Sequence, residues 1–422
     1  MFQTFAEAVE WIENSHRFGE KLDLSRMNLA CEMLGHPERQ FKSIHVAGTN
    51  GKGSTTNFIK NILYDAGYNV GIYTSPYVVK FNERIGIAQD FISDDDVVFY
   101  ANQLNTLWNQ VYETHHDSIT FFEILTLMAF LYFRDRKVDF AVVEVGLGGM
   151  LDATNVIDPL ISVITNISYD HMKQLGNTLE SIALNKLGIV KPHRPLVTTE
   201  DNPQLHPLFK SVTQANHSKL TIIDPADMTD ISVGITTDFI YEATRYKLRL
   251  TGKHQVKNAC LAIKCIEILT ELKEISVNGR NIYQGLWMTE WPGRFEIFNH
   301  NIVLDGAHNI GGIESLKASL RLVFPTQKIK CLFCMMRDKE HFKVIGELDT
   351  VVDEFHFTQI NYYRSALASE LFEESHHECK FIHEDAKATF MELKASLKAD
   401  EILVVTGSLY FISEIRPLLF LS

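Results

Sequence analysis

His45-Val46-Ala47-Gly48-Thr49-Asn50-Gly51-Lys52-Gly53-Ser54-Thr55 joins an apolar run to an amphipathic one through a glycine-rich turn. Ile44 to Ala47 suits a buried strand, and the spacing of Phe58, Ile59, Ile62, Leu63 and Ala66 predicts a helix over 54–66. Gly48, Gly51 and Gly53 permit positive φ and close backbone approach, so successive N–H groups and a helix N-terminus can surround an anionic oxygen while Lys52 supplies a point charge. The stretch reads as a phosphate cradle, and the order of its parts points to ATP. It is a variant loop: Val46 stands where the usual P-loop has its first glycine, and Gly53 separates Lys52 from the hydroxyl of Ser54.

Working outward, Val70 to Tyr73, Phe140 to Val145 and Leu160 to Thr165 are further strand-like runs alternating with helical stretches. This is the pattern of a mostly parallel sheet flanked by helices. A second series runs through Ile302 to Leu304, Ile329 to Phe333, Glu354 to Phe357 and Ile402 to Val405, which predicts a second α/β domain. The Pro-Gly pair of Trp291-Pro292-Gly293-Arg294 marks the boundary, giving domains over 1–293 and 294–422. The Thr-rich segment 224–250 reads as a small antiparallel excursion.

A chain of 422 residues exceeds what one core usually serves. Its 53 acidic against 40 basic residues give a formal charge of −13, which argues against nucleic acid or a membrane surface as partner. The N-terminal stripe Phe2, Phe5, Val9, Ile12 is interleaved with Glu7, Glu10 and Glu13, unlike a secretory signal. The apolar stretch Phe121 to Phe133 contains Glu123, is shorter than the roughly 20 residues that span a bilayer, and reads as a buried helix. Six scattered cysteines suit reduced thiols, and the cytoplasm is the expected compartment.

Strand ends in an open parallel sheet face the crevice where ligands bind. Glu144 closes the run Phe140 to Glu144 there, beside Gly146-Leu147-Gly148-Gly149, and suits Mg²⁺, which takes one or two carboxylates plus phosphate oxygens and water. Asp170 and His171 follow the next such run. Asp305-Gly306-Ala307-His308-Asn309 follows the first strand of the second domain, and Arg294 at the boundary could bring a guanidinium to a phosphoryl group. Cys331-Leu332-Phe333-Cys334 reads as buried thiols in a strand, and the His376, His377, Cys379, His383 stretch as surface.

Taken together, these motifs resemble folylpolyglutamate synthetase and dihydrofolate synthetase, members of the Mur ligase superfamily. The resemblance runs through Leu24-Ser25-Arg26, the loop at Gly48 to Ser54, Thr74-Ser75-Pro76, Phe81 to Ile85, Thr120 to Glu123, Glu144 to Gly149 and Asp152 to Asn155. It continues through Asp170-His171, Lys186 with Gly188 to Lys191, His254-Gln255, Asn258-Ala259, Pro292 to Arg294 and Asp305 to Asn309. It implies a Mur-ligase-like P-loop domain with a parallel-rich sheet, followed by a smaller Rossmann-like α/β domain, with closure of the two around the chemistry. ATP would phosphorylate a substrate carboxylate, and the amino group of L-glutamate would attack the acyl phosphate, building γ-linked glutamates on folates and also joining glutamate to dihydropteroate.

By the same resemblance Thr49, Asn50, Gly51, Lys52, Gly53, Ser54, Asn258, Arg294, Asp305 and His308 would bind ATP, and Ser75, Glu144 and His171 would hold Mg²⁺. Lys52, Lys186, His171 and Arg294 are the catalytic candidates, with Lys186 matching a lysine that becomes carbamylated, and a monovalent cation is a further expectation. Lys21, Leu22, Thr120, Phe121, Phe122, Glu123, Leu151, Asp152 and Ala153 would line the pterin site of a monomeric enzyme. Three departures stand out: Met150 for a common Arg, Asn185-Lys186-Leu187 for Glu-Lys-Ala, and Ile310-Gly311 for Pro-Asp. A cell-wall Mur-type ligase, and a nucleotide-binding protein without ligase activity, are the competing readings.

Overall fold

The computed structural model describes residues 1–15, 23–115 and 119–420. The chain forms two compact units, Met1–Asp227 with Lys257–Trp287, and Met228–Val256 with Met288–Ser422.

In the first unit eight strands form one sheet: β1 (Lys42–Ala47), β2 (Val70–Tyr73), β3 (Ile85–Ile87), β4 (Asp90–Phe91), β5 (Phe140–Glu144), β6 (Ile161–Ile164), β7 (Leu196–Thr198) and β8 (Leu220–Ile222). Their order is β4-β3-β2-β5-β1-β6-β7-β8. The run from β2 to β8 is parallel, and only β3 and β4 turn back antiparallel at one edge. The register pairs Tyr73 with Val143, Val46 with Glu144 and Ala47 with Ile164, so four adjacent strands end at one edge.

The predicted helix of the apolar stretch spans Phe121–Asp135 and is buried from Glu123 through Phe133. It packs with helices Phe5–Asn14, Ser25–Met33 and Asp94–His115 against Tyr73, Ala141 and Val143 of the sheet. With a phenylalanine worth roughly 1.5–3 kcal/mol on burial, Phe130 and Phe133 anchor this core. Its N-terminus is fixed by a capping box: the Glu123 N–H donates to Thr120 Oγ1 at 3.4 Å, and the Thr120 N–H donates to Glu123 Oε2 at 2.7 Å. The Arg26 Nε–H adds a charge-assisted bond to Glu123, 3.2 Å from each oxygen, with both side chains only 7% exposed. No helix among the described residues is long and apolar enough to cross a membrane.

The second unit holds the expected antiparallel excursion as β9 (Met228–Val233), β10 (Thr237–Tyr241) and β11 (Thr244–Leu248). Its main sheet comprises β12 (Glu296–Phe298), β13 (Ile302–Asp305), β14 (Lys328–Phe333), β15 (Glu354–Phe357), β16 (Lys380–Ile382) and β17 (Glu401–Thr406). The order is β12-β13-β17-β14-β15-β16, parallel except for β12. Phe333, Phe355 and Phe357 meet Leu316, Leu320 and Val344 of the covering helices in its core. Cys331 and Cys334 are buried thiols, and burial pushes both above the usual thiol range. The stretch read as surface is not wholly so: His383 Nε2 lies 2.9 Å from Nδ1 of buried His356, whose Nε2 lies 2.7 Å from Glu354.

Glu123→Gln removes one partner of a buried ion pair and weakens a helix cap. We expect a loss of about 3–5 kcal/mol in urea unfolding; a loss below about 1 kcal/mol would show that the Arg26–Glu123 pair does not hold this helix end.

Candidate active site

At the shared strand edge, the loop after β1 turns sharply and starts the helix Lys52–Asp65, with Gly51 as a left-handed N-cap at φ 84°. A side chain is excluded at two points of this loop. A Cβ on Gly48, at φ 143°, would lie 1.8 Å from Thr165 Oγ1, and one on Gly51 would lie 2.3 Å from Asn258 Oδ1. Asn258, named from the sequence as an ATP contact, therefore packs directly on the loop. Gly53 departs from the expected positive φ: it lies in the first helical turn, buried with Ser54.

The loop is bonded throughout to the segment following β6. The Thr49 N–H donates to Asn166 O at 2.9 Å, the Asn50 N–H to Asn166 Oδ1 at 3.0 Å, and the Thr165 hydroxyl to Asn50 O at 2.6 Å. The Thr49 hydroxyl donates to Ser168 O at 3.1 Å and accepts the Ser168 N–H at 3.0 Å. Lys52 is not an exposed loop lysine. It opens the helix, half-buried, and its ammonium donates to Gly48 O and Thr49 O, both at 3.2 Å.

Lys186, on helix Leu179–Leu187, donates to the same Gly48 oxygen at 2.8 Å. Burial, then the nearby Lys52 charge, lowers its pKa to about 7, against opposing pulls from Asp170 and Asp152. Leu187 does not crowd this amine as its bulk suggests; it points into a core with Ile182, Ile189 and Phe209. Met150, one of the departures, is 46% exposed and its N–H donates to Asn185 O at 2.8 Å.

The candidate metal ligands leave three of the four aligned strands: Ser75 follows β2, Glu144 ends β5, and His171 follows β6. Glu144 is buried, whereas His171 is exposed in a left-handed conformation at φ 50°. Among the described residues no three His, Cys, Asp or Glu side chains converge as a metal site. A buried carboxylate with a hydroxyl and an imidazole from neighbouring loops fits a hard cation that keeps water and phosphate oxygens for most of its shell.

The substrate candidates divide by role. Thr120 and Glu123 hold the helix end. Phe121 lies under the Arg84 guanidinium at 5.6 Å, and Phe122 packs on Tyr73 at 5.8 Å and against Gly146, where a Cβ would meet its ring at 2.3 Å. Leu151 is 51% exposed while Asp152 and Ala153 are buried. Lys21 and Leu22 lie outside the described residues.

In the second unit, Asp305 ends β13 and accepts the Phe295 and Ala307 N–H groups, both at 2.8 Å. Burial raises its pKa against the pull of Arg294 and those two donors. His308 Nδ1 lies 2.9 Å from Gly306 O, and Asn309 caps helix Ile310–Val323. Burial, then Arg294, lowers the His254 imidazole to about 4.

Sequence reasoning missed Asn166, Thr165 and Ser168. The signal was present, since these polar residues follow an apolar strand at the edge where the glycine loop lies.

Residues 46–266 match the family model of the Mur ligase middle domain, and 293–409 that of the Mur ligase glutamate ligase domain. A dihydrofolate synthase/folylpolyglutamate synthase of Bacillus subtilis is 37% identical over 426 residues, covering 99% of both chains. The chain belongs to the folylpolyglutamate synthase/dihydrofolate synthase family of Mur ligases. The crystal structure of Thermotoga maritima folylpolyglutamate synthase superimposes with a TM-score of 0.84 at 32% identity, over 98% of this chain and 96% of that one. Escherichia coli FolC in complex with DHPP and ADP gives 0.86 at 26% identity, over 99% and 97%. Members of this family are ATP-dependent acid–amino-acid ligases.

Two outcomes follow. Gly51→Ala should fold but raise KM for ATP at least about tenfold, or 1.4 kcal/mol, because strain and the Asn258 clash displace the cradle; an unchanged KM would remove the loop from the nucleotide site. Lys186 binds a proton more weakly folded than unfolded, so its cost is full below pH 7 and is relieved as pH rises through about 7 toward about 10. Lys186→Met should therefore be more stable than the parent at pH 6, with the gap closing toward pH 10 in urea titrations; a pH-independent gap would contradict the buried-amine assignment.

Proposed function

We propose that this protein uses ATP to activate the carboxylate of a folate-type acid and joins L-glutamate to it through a γ-amide bond, and that it also accepts dihydropteroate. The observation carrying this reading is the convergence of Lys52 and Lys186 on the Gly48 carbonyl of a rigid glycine loop at a helix N-terminus. An anionic γ-phosphate entering the loop would replace carbonyl oxygens as the Lys52 partner, and the loop and helix N–H groups would meet its oxygens.

Transfer of the phosphoryl group to the substrate carboxylate gives an acyl phosphate and ADP. The glutamate amine then attacks the acyl carbon, and collapse of the tetrahedral adduct expels inorganic phosphate and leaves the amide. Lys52 stays beside the phosphoryl oxygens and offsets their charge. Ser75, Glu144 and His171 would hold Mg²⁺, which supplies further charge neutralisation when bound. Phe121, Phe122, Leu151, Asp152 and Ala153 are proposed to seat the pterin, with Thr120 and Glu123 fixing that helix end and Lys21 and Leu22 added from the resemblance.

Lys186 has the properties that carbamylation needs: an amine neutral near pH 7 can attack CO₂, forming an N–C bond and releasing one proton. Asn258, Arg294, Asp305 and His308 are assigned to ATP, Arg294 also to catalysis, and a monovalent cation to the site, on the resemblance. The enzyme is proposed as a cytoplasmic monomer without nucleic-acid or membrane partners. The proposed division into a catalytic domain over 1–293 and a ligase domain over 294–422 is supported by the end of one family model at 266 and the start of the next at 293.

Phosphate release from Mg-ATP, with mass spectrometry of the products, tests this reading. Release should require both L-glutamate and a pterin substrate, either tetrahydrofolate or dihydropteroate, and Lys52→Ala should lower kcat by at least about 10²-fold. Turnover with a nucleotide-sugar acid instead, or ATP binding with no turnover on any pterin, would overturn it.

A further inference from the structure

His45 lies on β1 with no exposed surface, an unusual place for an imidazole. Its Nε2 is 2.8 Å from the Thr154 hydroxyl, and its Nδ1 is buried without a hydrogen-bond partner. The Thr154 hydroxyl in turn lies 2.5 Å from Asp152 Oδ1, which also accepts the Thr154 N–H at 3.0 Å. Asp152 Oδ2 accepts the Leu147 N–H at 2.8 Å. A continuous chain therefore runs from the strand, through one hydroxyl, to a buried carboxylate that steadies the glycine-rich loop after β5.

A hydroxyl has one proton, so its direction couples the two ends. If Thr154 donates to an ionised Asp152, it must accept from His45 Nε2–H, which leaves only an unused lone pair at Nδ1. If Asp152 were protonated and donated to Thr154, the hydroxyl would turn toward His45, whose proton would then sit on Nδ1 as a buried N–H without an acceptor. Orphaned buried donors are the rarer and more costly defect. The groups around the chain do not supply a second switch. Burial, then Lys191, lowers the His45 pKa to about 3 and keeps the imidazole neutral. Lys186 lies on the helix side of Asp152, and the phenol of Tyr73, itself near Glu144, on the sheet side. Burial raises the Asp152 carboxyl, and the Thr154 hydroxyl is the leading influence that opposes it.

We propose that His45 is a positioning residue: through Thr154 it fixes the hydrogen-bond direction that keeps Asp152 an acceptor-only carboxylate toward the ring N–H and amino donors of a bound pterin-type heterocycle. This rests on Asp152 as a substrate contact, the reading given under the proposed function.

Steady-state kinetics from pH 5 to 9 on His45→Leu, His45→Gln, Thr154→Val, Thr154→Ser and Asp152→Asn test it, with dihydropteroate varied at saturating ATP and glutamate. His45→Leu and Thr154→Val should raise the pterin KM about tenfold and move the acid limb of kcat/KM up by about one pH unit, with KM for ATP within about twofold of the parent. His45→Gln and Thr154→Ser, which keep a donor or hydroxyl, should restore most of both. If His45→Leu does not fold, Thr154→Val decides. An unmoved acid limb, or a loss shared equally by pterin and ATP, overturns the inference. If Asp152→Asn raises the pterin KM while the chain variants do not, the inference alone fails; if Asp152→Asn leaves it unchanged, the substrate reading of Asp152 fails and takes the inference with it.

Discussion

The candidate active site depends on the close approach of two strand-end loops, the glycine loop after β1 and the polar segment after β6. Gly48 can lie against Thr165 only because it has no Cβ, and once there the two segments exchange backbone and side-chain hydrogen bonds at 2.6–3.1 Å. The contact shapes the loop through the protein's own hydrogen bonds. A cradle of N–H groups that must first be ordered gives up part of its binding free energy, and bonds from Asn166 and Thr165 remove that cost. The same contact ties the glycine loop to the segment carrying Asp170 and His171, so nucleotide and metal candidates share one frame.

A second constraint is the gathering of positive charge on one carbonyl. Both lysines meet at the Gly48 oxygen, and burial first, then the nearby Lys52 charge, lowers the affinity of the deeper one, Lys186, for its proton. The two lysines are thereby differentiated. Lys52 opens the helix at the loop, while Lys186 holds its proton weakly near neutral pH.

Much of this was legible in the sequence because it rests on local pattern. Strands ending at Ala47, Tyr73, Glu144 and Ile164 follow from short apolar runs, and a parallel sheet brings their ends together, so the site edge could be read before the structure. The buried helix and the second α/β unit followed from the same periodicities. What escaped depends on distant partners. Lys52 looks exposed when only its glycines are considered, and its burial comes from the loop folding back on itself. Leu187 looks intrusive beside Lys186 until the helix rotates it into the core. The Arg26–Glu123 pair joins residues 97 apart, and the His45–Thr154 bond joins residues 109 apart, separations no local pattern encodes. The positive φ expected at Gly53 failed because the helix begins two residues before its predicted start, at Lys52.

The central claim is that the substrate carboxylate is activated as an acyl phosphate in a site organised by the glycine loop. Its most direct test is one turnover of dihydropteroate carrying ¹⁸O in the carboxylate, with ATP and L-glutamate, followed by mass analysis of the inorganic phosphate released. Transfer of one labelled oxygen from the carboxylate to phosphate is the predicted result. Unlabelled phosphate, with amide product formed, would mean that the carboxylate oxygen never bonded to phosphorus and would contradict the account.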